Sequence, residues 1–146
     1  MSNVPRSANT SQLARTFSHN VVEQTVQFAP QGTSAPLIVW GDAAAGFYFT
    51  ITRTGVGTYT LKTNQAYPSL PARNGIVPIP ALCGSISLAT PVGQWSLVPS
   101  NPTHNADGTW TMPFTLLLVN TATDIAAATG NIINLYIDLP MDLLNP

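Results

Sequence analysis

Apolar residues recur at every second position in several short stretches of the chain, and few stretches repeat at helical spacing. Phe47, Phe49 and Ile51 alternate with Tyr48, Thr50 and Thr52, the period of a half-buried strand. Gly55-Val56-Gly57 follows and predicts a tight hairpin turn, because glycine tolerates positive φ. The partner strand is then Thr58–Thr63, with Tyr59 and Leu61 inward. Residues 37–40, 85–89 and 94–98 read as further strands. Trp110, Met112, Phe114, Leu116 and Leu118 fall at spacing two, and Pro113 between them predicts a bulged or edge strand. Residues 132–139 form the last strand, and adjacent Ile132 and Ile133 place it centrally or against a neighbour.

The connections are equally readable. Residues 64–83 hold Pro68, Pro71, Pro78 and Pro80 and predict a long link with at most an edge strand near Ile76-Val77. Asp107-Gly108 is a strong turn signal. Residues 124–130 predict one helical turn, capped by Asp124 and stopped by Gly130. The pattern specifies an all-β chain: a single β-sandwich, jelly-roll-like, of about eight strands.

Residues 1–35 differ from 36–146. Ser, Asn, Thr and Gln are dense there and no period is sustained, although 21–28 alternates on Val22, Val26 and Phe28 as a strand would. The segment reads either as a disordered tail or as an extended polar arm that orders against another subunit. Val4, Leu13, Phe17, Val22, Val26 and Phe28, set singly in polar surroundings, favour a partner-binding arm. The domain division expected is therefore an arm, 1–35, and a sandwich domain, 36–146.

Composition sharpens this picture. Only 8% of the 146 residues are charged, and the net charge is -1, against about 25% charged in an ordinary domain. Hydrophobic residues make up 45%, enough for a folded core. The polar remainder is neutral: Thr 18, Ser 10, Asn 11 and Gln 6. Arg6, Arg15, Arg53, Lys62 and Arg73 are scattered, so a nucleic-acid partner is not expected. No apolar run approaches the length of a membrane span, and no membrane partner is expected. The first residues lack the apolar core of a signal peptide, which leads to an expectation of synthesis in the cytoplasm without general export.

No residue set points to catalysis. His19 and His104 are the only histidines, and no nucleophile elbow accompanies them. A small hydrolase using His104 is the weakest of three readings. One cysteine, two distant histidines and no acidic loop spacing leave no expected metal or cofactor. Asp138 and Asp142 read as strand-end acids rather than a glycosidase pair. Cys83, between Leu82 and Gly84, reads as a buried, inert thiol.

Surfaces without Lys and Glu are cheap to desolvate, and charged residues are depleted at interface cores. Ile137, Leu139, Met141, Leu143 and Leu144 keep the C-terminus apolar; they read as an oligomer interface or, alternatively, as a C-terminal strand packed on its own core. One pattern runs through the body. It comprises Phe49-x-Ile51-x-Arg53-x-Gly55-x-Gly57-x-Tyr59-Thr60-Leu61, Tyr67-Pro68-x-Leu70, Asp107-Gly108-x-Trp110 and Thr121-Ala122-x-Asp124, leading to Gly130. It resembles the small β-sandwich decoration (cement) proteins of tailed-bacteriophage capsids, over about residues 46–139. The resemblance implies a homotrimer on the outer surface of the virion head, clamping the major capsid protein and assembled in the host cytoplasm; the lack of a catalytic set among so few ionisable residues separately leads to the expectation that the chain is not an enzyme. The competing reading is a carbohydrate- or receptor-binding head of a phage spike or fibre, for which Trp40, Trp95, Trp110 and Tyr48 are the candidate stacking residues, although alternation assigns Trp110 to the core face.

Overall fold

The first and last described strands lie side by side at the centre of one sheet. A computed structural model describes residues 21–41 and 48–140, the side chains of Val21 and Val22 excepted. Strand β1 is Val21–Gln31 and β10 is Ile132–Pro140. They pair antiparallel from Val21↔Pro140 to Phe28↔Ile133. Strand β2, Ser34–Gly41, flanks β1, and β5, Ala81–Ser87, flanks β10, giving the order β2-β1-β10-β5.

The second sheet has the order β3-β4-β8-β6, with β3 Phe49–Gly55, β4 Thr58–Thr63, β6 Trp95–Pro99 and β8 Trp110–Leu118. Two short strands, β7 Thr103–His104 and β9 Thr121–Ala122, also pair with β8. Every pairing is antiparallel. Among the described residues there is no helix, so the chain is an all-β sandwich.

Period two explains what fills the space between the sheets. Val26, Phe28, Ile133, Leu135, Ile137 and Leu139 point in from the first sheet, and all are fully buried. Phe49, Tyr59, Leu61, Met112, Phe114 and Leu116 meet them from the second. At the centre the Phe28 ring lies 5.6 Å from Tyr59 and 6.0 Å from Phe114, and Tyr59 stacks on Phe114 at 5.5 Å. Such aromatic contacts add specificity beyond the area they bury.

Several sequence expectations are corrected here. The boundary at residue 35 does not divide arm from sandwich: from Val21 on, the segment is a central strand. Val26 and Phe28 are core residues and not partner-binding ones. Ile137 and Leu139 are likewise sealed in the core, on the inward face of β10, and form no oligomer surface. Val4, Leu13, Phe17, Met141, Leu143 and Leu144 lie outside the described residues, as does the side chain of Val22.

The helical turn expected at 124–130 is extended chain closed by a turn, Asn131 N–H donating to the Ala128 carbonyl at 3.1 Å. Asp124 is engaged elsewhere. Pro113 sits inside a central strand, not at an edge. Its carbonyl accepts from Ser100 N–H at 2.9 Å, so its nitrogen faces the same flank. That flank is the gap where β6 ends at Pro99 and β7 begins at Thr103, and no ladder bond is lost.

Candidate binding surface

Three residues of the sequence pattern, Arg53, Gly57 and Asp124, converge on one clamp. The β3–β4 hairpin puts Val56-Gly57 at its tip, and Gly57 has φ +63°. A side chain at Gly57 would meet the backbone of Thr123 and of Leu116, because the tip is pressed against the segment after β9. Leu116 N–H donates to the Gly57 carbonyl at 2.7 Å. Gly57 N–H in turn donates to Asp124 Oδ1 at 2.9 Å. Arg53 completes the clamp, donating from Nε to Oδ1 at 3.0 Å and from a terminal nitrogen to Oδ2 at 2.7 Å. The Arg53 guanidinium, then burial in opposition, then the Gly57 N–H act on the Asp124 carboxyl, and the net effect holds it below its ordinary value.

Beside the clamp, Tyr59 is buried and its hydroxyl has no hydrogen-bond partner among the described residues. Burial pushes this phenol up, and the Asp124 charge adds to the shift. Arg53, Gly57 and Asp124 are thus a fastening between hairpin and loop. The carboxylate's charge is spent on Arg53.

His104 is also committed. Its Nε2 lies 2.8 Å from the Tyr67 carbonyl, an acceptor only, so Nε2 carries the proton there. Its ring packs 4.7 Å from the Trp110 ring. This histidine anchors the long 64–80 connection to β7. The predicted Asp107-Gly108 turn forms as expected, with Thr109 donating to Asp107 Oδ1 from its hydroxyl at 2.6 Å and its N–H at 3.0 Å. Those two donors hold the Asp107 carboxyl below its ordinary value. Asp138 faces solvent on β10 opposite Glu23, and Asp142 lies outside the described residues. Among the described residues no group of His, Cys, Asp and Glu gathers as a metal site.

Cys83 corrects a further expectation. It is exposed, because Leu82 points into the core and period two turns its neighbour outward. It stands on β5 opposite Tyr136 of β10.

The outward faces of both sheets are nearly charge-free. On the first sheet Glu23 and Asp138 are the only charged residues. A neutral ladder crosses three strands there: Gln27 Nε2 donates to Asn134 Oδ1 at 2.7 Å, and Asn134 Nδ2 donates to Ser85 Oγ at 3.2 Å. Trp40, opposite Gln27 on edge strand β2, is 57% exposed, and Tyr136, opposite Thr25, is 46% exposed. Leu37 adds a third exposed apolar side chain. On the second sheet the outward positions of β3, β4 and β8 include Thr50, Thr52, Thr60, Thr111 and Thr115, with Pro113 and Leu117 beside them and Lys62 as the charge. Lys62 lies 3.9 Å from Asp107, with both side chains solvated, a pair of little energetic weight.

The described residues also form a concave site. A cleft of about 230 Å³ opens between the 88–95 loop and the segment after β9, walled by Leu88, Trp95, Leu118 and Ile125, with Asp124 and Asn131 contributing. Of the aromatic candidates named from sequence, Trp110 is core, Trp95 and Tyr48 are half-buried, and Trp40 is exposed. The cleft was not legible in sequence, since its walls come from three separated segments.

Compared with protein-family models, with curated proteins and with solved structures, the chain finds no match.

Proposed function

We propose that this chain is a structural virion protein, a decoration (cement) protein that binds the major capsid protein on the outer surface of a tailed-phage head as a homotrimer. The observation that carries the reading is the character of the first sheet's outward face. Trp40, Leu37 and Tyr136 stand exposed around a Gln27–Asn134–Ser85 ladder, in a sheet holding only two charges. Such a face loses little on desolvation, and exposed aromatics act as anchors in protein interfaces. Repetition of a modest contact by symmetry then yields tight attachment. The sequence pattern that resembles decoration proteins supports the same reading. The reading assigns no reaction to the chain.

Gel filtration with light scattering tests the oligomer: a mass of three times 15.5 kDa is expected, and a monomer at high concentration overturns it. Sedimentation with phage heads grown without the chain tests the partner. Saturable binding is expected, and its absence overturns the function.

A second reading, a carbohydrate-binding head domain, has one observation in its favour. Trp40 and Tyr136 flank the side-chain amides of Gln27 and Asn134 on one face, and neutral sugars are bound by ring stacking and amide hydrogen bonds. Glycan-array binding lost in Trp40→Ser would replace the first reading with this one.

A further inference from the structure

The cleft beside the clamp has mainly apolar walls. Leu88, Trp95, Leu118 and Ile125 supply apolar surface. The one charged side chain at its lining, Asp124, and the polar groups of Asn131 and Trp95 are already partnered inside the fold, and Thr90 adds only a neutral, exposed hydroxyl. Asp124 is held by Arg53 and Gly57. Asn131 accepts from Ala89 N–H at 2.9 Å and donates to the Ala126 carbonyl at 2.9 Å. Trp95 Nε1 donates to the Val92 carbonyl at 3.1 Å. An occupant that brought a charge would therefore find no counter-charge to spare, and would lose its own hydration.

Size narrows the occupant. A volume of about 230 Å³ exceeds the roughly 150 Å³ of an apolar cavity that takes up benzene. The cleft is also not isolated. A second depression, formed with Ile86, Pro91 and Gly93, shares Leu88, Val92 and Trp95 with it. Val92 stands 65% exposed on the rim between them. The site is therefore elongated, with an apolar ridge still uncovered, which fits a polypeptide segment better than one compact small molecule.

We propose that this cleft receives a single uncharged apolar side chain, aromatic or branched aliphatic, presented by the partner protein. The proposal rests on the decoration-protein reading and deepens it by naming the anchor pocket. Pockets of this kind hold the few side chains that dominate an interface, while the surrounding neutral surface excludes water.

Two variants and two probes test it. Ala128→Trp fills the cleft from an exposed lining position, and Val92→Asp charges the exposed rim. Both leave the core untouched, and thermal unfolding checks that they fold. The first probe is toluene, titrated with the wild-type chain and read by NMR. Saturable shifts at Trp95 and Leu118 in the millimolar range, absent in Ala128→Trp, are expected; no shift in the wild type overturns the proposal without touching the capsid reading. The second probe is binding to phage heads grown without the chain. At least tenfold weaker binding by each variant is expected. Wild-type affinity in both variants overturns the proposal, even where toluene binds, because the cleft is then a site for free ligand. Failure of the wild type itself to bind heads overturns the function on which the proposal stands.

Discussion

Arg53 and Asp124 stand 71 residues apart in sequence and form a two-point ion pair, Nε to Oδ1 at 3.0 Å and a terminal nitrogen to Oδ2 at 2.7 Å. The planar guanidinium fork matches the carboxylate, and Gly57 N–H supplies a third bond to it. Hydrogen bonding from Arg53 is the main reason the folded carboxyl lies below its ordinary value of 3.8. The unfolded chain thus takes up the proton first as pH falls. The clamp's contribution is fully present above pH 3.8 and is lost as pH drops through the lower folded value. Urea unfolding at pH 7 and in the acid range should show this slope, and Asp124→Asn should flatten it. Asp107, also held low, leaves a residual slope in the variant. At pH 7, Asp124→Asn should lower the Tm by several degrees.

Gly57 is where the backbone itself is constrained. Its φ of +63° disfavours a side chain, and a Cβ there would press on Thr123 and Leu116 backbone atoms. The left-handed conformation alone costs a non-glycine residue about 1–2 kcal/mol, and displacing the clamp adds to that. Gly57→Ala should therefore destabilise by about 2 kcal/mol or more in chemical denaturation. Val56→Ala, one residue away and exposed, should be close to neutral.

The hairpin was legible because two signals agreed: alternation on Phe49, Ile51, Tyr59 and Leu61, and glycines at the turn. Strand β1 was not. Glu23, Gln24, Thr25 and Gln27 make the segment look like a polar arm, yet Glu23, Thr25 and Gln27 alternate with buried Val26 and Phe28 on a sheet whose other face meets solvent. Polar density therefore did not distinguish an arm from a half-buried central strand. Asp124 carried a local cap signal, but its partner lies on another strand, and no window of sequence contains both. Leu82 inward fixes Cys83 outward, but only once β5 is known to begin at Ala81, inside what reads as a proline-rich connection.

The placement of Phe28 has a direct thermodynamic consequence. Its ring is fully buried against Tyr59 and Phe114. Truncation removes that contact and leaves a cavity between the sheets. Phe28→Ala should cost about 3–5 kcal/mol, read by urea unfolding. A residue in a partner-binding arm would give almost none. Leu37→Ala, on the exposed edge strand β2, is the control and should change stability little.

Tyr59 predicts the opposite sign. Its ring is packed and its hydroxyl is buried without a hydrogen bond among the described residues. A buried hydroxyl that exchanges water for no partner is a net cost. Tyr59→Phe keeps the stacking on Phe114 at 5.5 Å and removes only the oxygen. Stability should stay level or rise by up to about 1 kcal/mol. A clear loss would show that the hydroxyl is hydrogen-bonded in solution.

Cys83 gives a test that needs no mutation. It is exposed on β5, with Gly84 after it and Tyr136 across from it. A thiol in that position meets reagent without any opening of the fold. Native protein should react with a disulfide reagent such as DTNB at one thiol per chain. Its rate should match that of the urea-unfolded chain to within an order of magnitude. A buried cysteine would react only through unfolding, and its rate would rise steeply with denaturant. Slow, denaturant-dependent labelling of the isolated protein would therefore mean that the outward face of β5 is covered in solution, by a second copy of the chain or by a rearranged sheet edge.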